Sequence, residues 1–89
     1  MFAFTDAERA YLSSFDGIIK DSQEREVLRG LTFDETAFHV TYGRRRNSGE
    51  VMDPEDTERY LELDEKFQAA LAQLSVAEAE RRNEKPTEH

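Results

Sequence analysis

The sequence predicts an all-α fold, a small bundle of three or four helices with a long C-terminal one. Three observations predict it. Helix-start signals stand at Thr5, Thr32 and Asp53, apolar residues after them recur at three- and four-residue spacings, and no cysteine is present to staple a loop-rich alternative. The alternative is an α+β arrangement with a hairpin over 36–52, where part of the chain also alternates with a two-residue period.

The first element starts at "FTDAERAYLSSF". Thr5 is an N-cap, Glu8 three residues on completes a capping box, and Phe4 takes the staple position. Ala7, Tyr11, Phe15 and Ile18 then recur at helical spacing, with Leu12 and Ile19 widening the stripe, which predicts about four turns. Asp16-Gly17 inside that stretch is a signal for an early break. "DSQEREVLRGL" is expected as a short second helix, capped by Asp21 or Ser22, with Val27 and Leu28 inward and Gly30 as its stop.

"LTFDETAFHVTYGRRRN" carries two signals. Phe38, Val40 and Tyr42 alternate with His39 and Thr41, as a strand would. Against that, Thr32 and Glu35 form a second capping box with Leu31 as staple. Acids lie in the first turn, Arg44, Arg45 and Arg46 in the last, and Asn47 or Gly49 just beyond, an order that suits the helix dipole. Helix is the expectation. The clearest element follows: Asp53 as N-cap, Pro54 in the first turn, Glu55 and Asp56 beside the dipole, then Tyr60, Leu63, Phe67, Ala70, Leu74 and Ala77 at three-four spacing. About 28 residues at 1.5 Å each make a helix of about 42 Å, longer than the roughly 26 Å diameter of a compact domain of this size. The expected organisation is one helical domain over 1–82 and a disordered tail over 83–89.

Charge is concentrated. The chain carries 20 acids against 12 Lys and Arg, net −8. Residues 50–65 hold eight of those acids against Arg59 alone, net −7, which leaves the other segments together near neutral. Such a stretch repels nucleic acid and suits a basic partner, or is a solvated helix face. No apolar run approaches the roughly 18 residues a membrane span needs. Asp6 and Glu8 follow the opening Met-Phe-Ala-Phe at once, so a secretory leader is not expected and the expected location is cytoplasmic.

No motif in the chain identifies a chemistry. There is no Gly-rich phosphate loop and no nucleophile elbow, and the serines fall at caps, faces and loops. Glu35 and His39 share a helix face at four-residue spacing, but a metal site needs further ligands that the sequence does not pair with them. A non-catalytic protein with no metal and no cofactor is therefore expected. "EREVLRGLTFDETA" has the outline of a helix–turn–helix, and Arg44, Arg45 and Arg46 could contact phosphates. Yet Glu26 stands where a small packing residue belongs, and Asp34 and Glu35 would open the recognition helix, where phosphates repel them. The triplet is better explained as a dipole complement that pairs with Glu50, Asp53, Glu55 and Asp56 at the start of the next helix. Tyr11, Tyr42 and Tyr60 keep a polar edge that interfaces favour.

The leading expectation is an acidic helical module that binds another protein or itself, as a homodimer, through the stripe Tyr60, Leu63, Phe67, Leu71 and Leu74. A nucleic-acid regulator acting through the arginine triplet is one alternative. An acidic decoy that occupies a basic groove through Glu58, Glu62 and Glu65 is the other.

Overall fold

A computed structural model describes residues 2–84. Its elements run α1 (Asp6–Ser13), β1 (Ile18–Lys20), β2 (Glu26–Leu28), α2 (Phe33–Asn47) and α3 (Pro54–Glu84). Among the described residues the chain is mostly helical, with three helices and one two-stranded antiparallel sheet, so the purely α expectation is corrected. The hairpin is not over 36–52, which is α2 for most of its length; it lies at 18–28, in the stretch expected as a short second helix. Residues 85–89 of the expected tail lie outside the described residues, and α3 continues through Glu84.

Both capping boxes form. The Thr5 hydroxyl accepts from the Glu8 amide while the Glu8 carboxylate accepts from the Thr5 amide, and Thr32 and Glu35 repeat the arrangement. Phe4 and Leu31, the residues before each cap, are buried. α1 is shorter than its apolar stripe implies. The Gly17 amide reaches back to the carbonyl of Leu12 and the Asp16 amide to that of Ser13. This crossed pair of bonds is a Schellman turn, and it ends the helix with Asp16 in the left-handed region at φ 61°. Ile18 and Ile19, read as the helix's last apolar positions, are strand residues instead. α2 closes the same way: the Glu50 amide bonds the Arg45 carbonyl, the Gly49 amide that of Arg46, and Gly49 takes φ 91°.

The hairpin closes over Ser22, Gln23 and Glu24. Asp21 organises it, its Oδ1 accepting from the amides of Gln23 and Arg25 at 2.9 Å each. On the far edge of β2 the Leu28 amide donates to the hydroxyl of fully buried Thr36, which ties the sheet to α2. Phe4, Leu28, Leu31, Leu63 and Phe67 form the core, so the strap before α1, the hairpin and α3 all contribute to one cluster. α2 and α3 pair antiparallel: Lys66 donates to Glu35 at 2.9 Å, His39 Nε2 to Asp64 at 3.0 Å, and the Tyr42 and Thr57 hydroxyls meet at 2.7 Å. α3 outlasts this body. At 31 residues it spans about 46 Å at 1.5 Å per residue. The molecule measures 57 × 27 × 23 Å, and among the described residues the core contacts of α3 end at Leu71.

Candidate interaction surface

The arginine triplet does not present three free guanidiniums. Arg44 donates from Nε and Nη2 to the two carboxylate oxygens of Glu8, at 2.8 and 2.6 Å, and from Nη2 to the Ala3 carbonyl at 2.8 Å. Its guanidinium also lies 5.3 Å from the Phe2 ring centroid. The pair holds the Glu8 carboxyl down at about 2, since the hydrogen bond to Arg44 outweighs the cost of burial. Arg45 turns to Glu50 at 2.8 Å, as the antiparallel hairpin suggests, and lowers that carboxyl too. Arg46 is exposed. The pairing expected with the acids ahead of α3 is therefore met at Glu50, whereas the partner of Arg44 is the distant Glu8. That residue gives no local cue in the sequence.

Glu35 and His39 do not converge on a common point. Glu35 faces Lys66, whose ammonium lowers its carboxyl, while His39 points its Nε2 at Asp64. A carboxylate can only accept, so Nε2 of His39 carries the proton. Tyr60 sits between His39 and Tyr42, stacked on the first at 4.6 Å and on the second at 4.5 Å between ring centroids. Because the Thr57 hydroxyl is already donated to the Asp53 carbonyl, that of Tyr42 is the donor to Thr57. This aromatic ladder aligns α2 on α3. Burial, with the Asp64 carboxylate nearby, raises the Tyr60 hydroxyl above its ordinary value.

The expected stripe on α3 divides. Leu63 and Phe67 are buried in the chain's own core, so these two are not available to a partner. Tyr60, Leu71 and Leu74 are half-buried, and beyond them Ala77 is exposed and Val76 is 56% exposed. The stripe thus begins inside the body and continues past it. On the outer face of α3, Glu58, Glu62 and Glu65 are exposed around Leu61, itself 58% exposed, and among the described residues none of the three carboxylates forms an ion pair.

One apolar surface escapes a reading of the sequence. Between α1 and the α2–α3 pair runs an open groove of about 260 Å³ lined by Tyr11, Leu12, Leu28, Val40, Gly43 and Tyr60, with Glu8 and His39 as its ionisable members. α1 buries none of its residues completely, and Tyr11 on the groove's edge is 70% exposed. A Cβ at Gly43 would meet nothing within 4 Å, so the glycine leaves this part of the groove empty. Gly43 in mid-helix is the signal that could have found it, because a glycine there costs stability without a turn to justify it.

The chain matches no protein-family model, and no curated protein or solved structure shows significant similarity to it. Among the described residues no helix is long and apolar enough to cross a membrane.

Proposed function

We propose that the protein is a non-catalytic interaction module that associates with a second copy of itself through the far half of α3. The observation that carries this reading is the continuation of the core stripe beyond the core, from Leu71 to Leu74 and Ala77, on a helix that leaves its own body. Local charge supports it. Residues 66–77 contain no carboxylate in a chain with 20 acids, and Lys66 is their one charged residue. A second copy of this acidic protein can approach there with the least repulsion. Light scattering coupled to size exclusion, at about 100 μM protein and at about 50 and 500 mM salt, tests the reading. A dimer that persists at high salt supports an apolar seam. A monomer under both conditions removes the reading.

Exposed Leu61 ringed by Glu58, Glu62 and Glu65 supports a second reading, an acidic surface for a basic target. Charge reversal at the three glutamates would abolish binding to such a target and leave self-association intact. The nucleic-acid reading draws little support from a triplet in which Arg44 and Arg45 are already engaged.

A further inference from the structure

We infer that the groove between α1 and α2 is the receptor for the α3 overhang of the second copy, with Leu74 as the inserted side chain. The inference rests on the self-association reading and goes further, naming where one copy seats the other.

Two features of the same chain lack a counterpart among the described residues. One is the overhang, where Leu74 keeps part of its surface in solvent and Val76 and Ala77 follow it exposed. The other is the groove, whose 260 Å³ exceeds the roughly 150 Å³ that accommodates a benzene molecule in an apolar cavity, and so has room for an aliphatic side chain. Their positions along α3 are compatible with twofold symmetry. Leu74 lies 14 residues beyond Tyr60, about 21 Å along the axis and within about 40° of the same helix face. A copy related by a twofold axis near the midpoint of that span brings each Leu74 level with the other copy's Tyr60, on the wall of the groove. Both contacts form at once and the assembly closes as a dimer.

Area favours the groove over a contact between overhangs alone. A contact between the overhangs alone, burying Leu74, Val76 and Ala77 of each copy, falls short of the roughly 1,200 Å² that a specific stable interface needs. Two occupied grooves add the exposed Tyr11, the open floor at Gly43 and the flank of Tyr60, each used twice. Charge is compatible as well. The one carboxylate on the groove, Glu8, is held by Arg44, and the inserted stretch carries none.

The test uses the full-length chain and compares the dimer dissociation constants of wild type, Leu74→Glu, Gly43→Leu and Tyr11→Glu, by light scattering or sedimentation. Gly43→Leu fills the groove from a helical position with open space, so it is expected to weaken the dimer by about tenfold or more while thermal unfolding of the monomer is unchanged or rises. Tyr11→Glu changes a side chain already exposed in the monomer and is expected to weaken the dimer comparably. It decides the matter if Gly43→Leu fails the circular dichroism check for folding. If Leu74→Glu dissociates the dimer while Tyr11→Glu, and Gly43→Leu where folded, associate as wild type does, the groove is not the receptor although self-association through α3 stands. A wild type that is monomeric at about 100 μM overturns both.

Discussion

Arg44 and Glu8 stand 36 positions apart in the chain, yet they form the closest ion pair among the described residues, with Arg44 Nη2 2.6 Å from Glu8 Oε1 and Nε 2.8 Å from Oε2. The same carboxylate closes the capping box of α1, and the same guanidinium holds the Ala3 carbonyl. One contact thus fixes the end of α2, the start of α1 and the strap that carries Phe4 into the core. α1 buries none of its own residues completely, so beside the packing of Leu12 on the core its position depends on this clamp and on that of Arg9 with Glu26 at 3.1 Å.

The clamp predicts an acid dependence. The carboxyl of Glu8 is depressed to about 2 from 4.5, so the stability it contributes is fully present above pH 4.5 and is lost as pH falls from there towards 2. After allowance for solvent screening of a partly exposed pair, the loss is about 1–2 kcal/mol. Urea unfolding of wild type and Glu8→Gln at pH 7, 4 and 2.5 measures it. Glutamine keeps the capping box but not the charge, so the two proteins should differ at neutral pH and converge in acid. Parallel curves would mean that the pair contributes nothing.

Thr36 is the second point of dependence. It is fully buried, and its Oγ1 receives the Leu28 amide at 2.9 Å on the edge of β2 that β1 does not cover. Thr36→Val keeps the shape and leaves that amide without a partner, at a cost of about 1–3 kcal/mol. A fall in Tm of roughly 4–8 °C for each kcal/mol is expected for a domain of this size. An unchanged Tm would show that the amide finds water instead.

Two glycines should respond to alanine with opposite signs. Gly30 has φ 87°, and a Cβ there would stand 2.8 Å from the Ala70 Cβ and 3.3 Å from the Lys66 carbonyl oxygen. Gly30→Ala combines left-handed strain with overpacking against α3 and should cost about 2–4 kcal/mol. Gly43→Ala meets open space inside α2 and should gain about 0.5–1 kcal/mol. Chemical denaturation at low protein concentration measures both, and equal signs would refute the assignment.

α2 and α3 were legible because their local signals agree with their tertiary setting. Thr32, Glu35, Gly49 and Pro54 each do in the structure what their positions suggest. The Asp16-Gly17 break was legible only as a warning. It reads weakly because the left-handed position is filled by Asp16, while Gly17 serves a different need, since a Cβ on it would lie 2.9 Å from the Phe15 ring and 3.2 Å from that of Phe67. The hairpin was not legible. Asp21 accepts from amides two and four residues ahead, much as a helix N-cap accepts from amides two or three residues ahead, and Gly30 past Leu28 resembles a helix stop. At the candidate site the apolar stripe was visible as spacing. How it is shared between core and surface depends on where α3 leaves the body, and the groove depends on α1 being short, so neither has a local signature.

The same hairpin yields the last prediction. Glu24 sits at φ 64°, its amide bonded to the Asp21 carbonyl at 2.9 Å, and the Asp21 amide bonds the Arg25 carbonyl at 3.0 Å. This is a three-residue loop with a turn followed by a left-handed residue, a position that glycine normally fills. Glutamate there carries a conformational penalty of about 1–2 kcal/mol, part of which glycine returns through its greater freedom in the unfolded chain. Glu24 is also exposed and forms no side-chain hydrogen bond among the described residues. Glu24→Gly should therefore raise stability by about 0.5–1 kcal/mol. The gain should appear as a higher urea midpoint with an unchanged slope, since the surface exposed on unfolding is the same. A loss of stability would mean that the Glu24 side chain holds the loop through contacts other than the backbone turn, and the loop would then have to be redrawn around it.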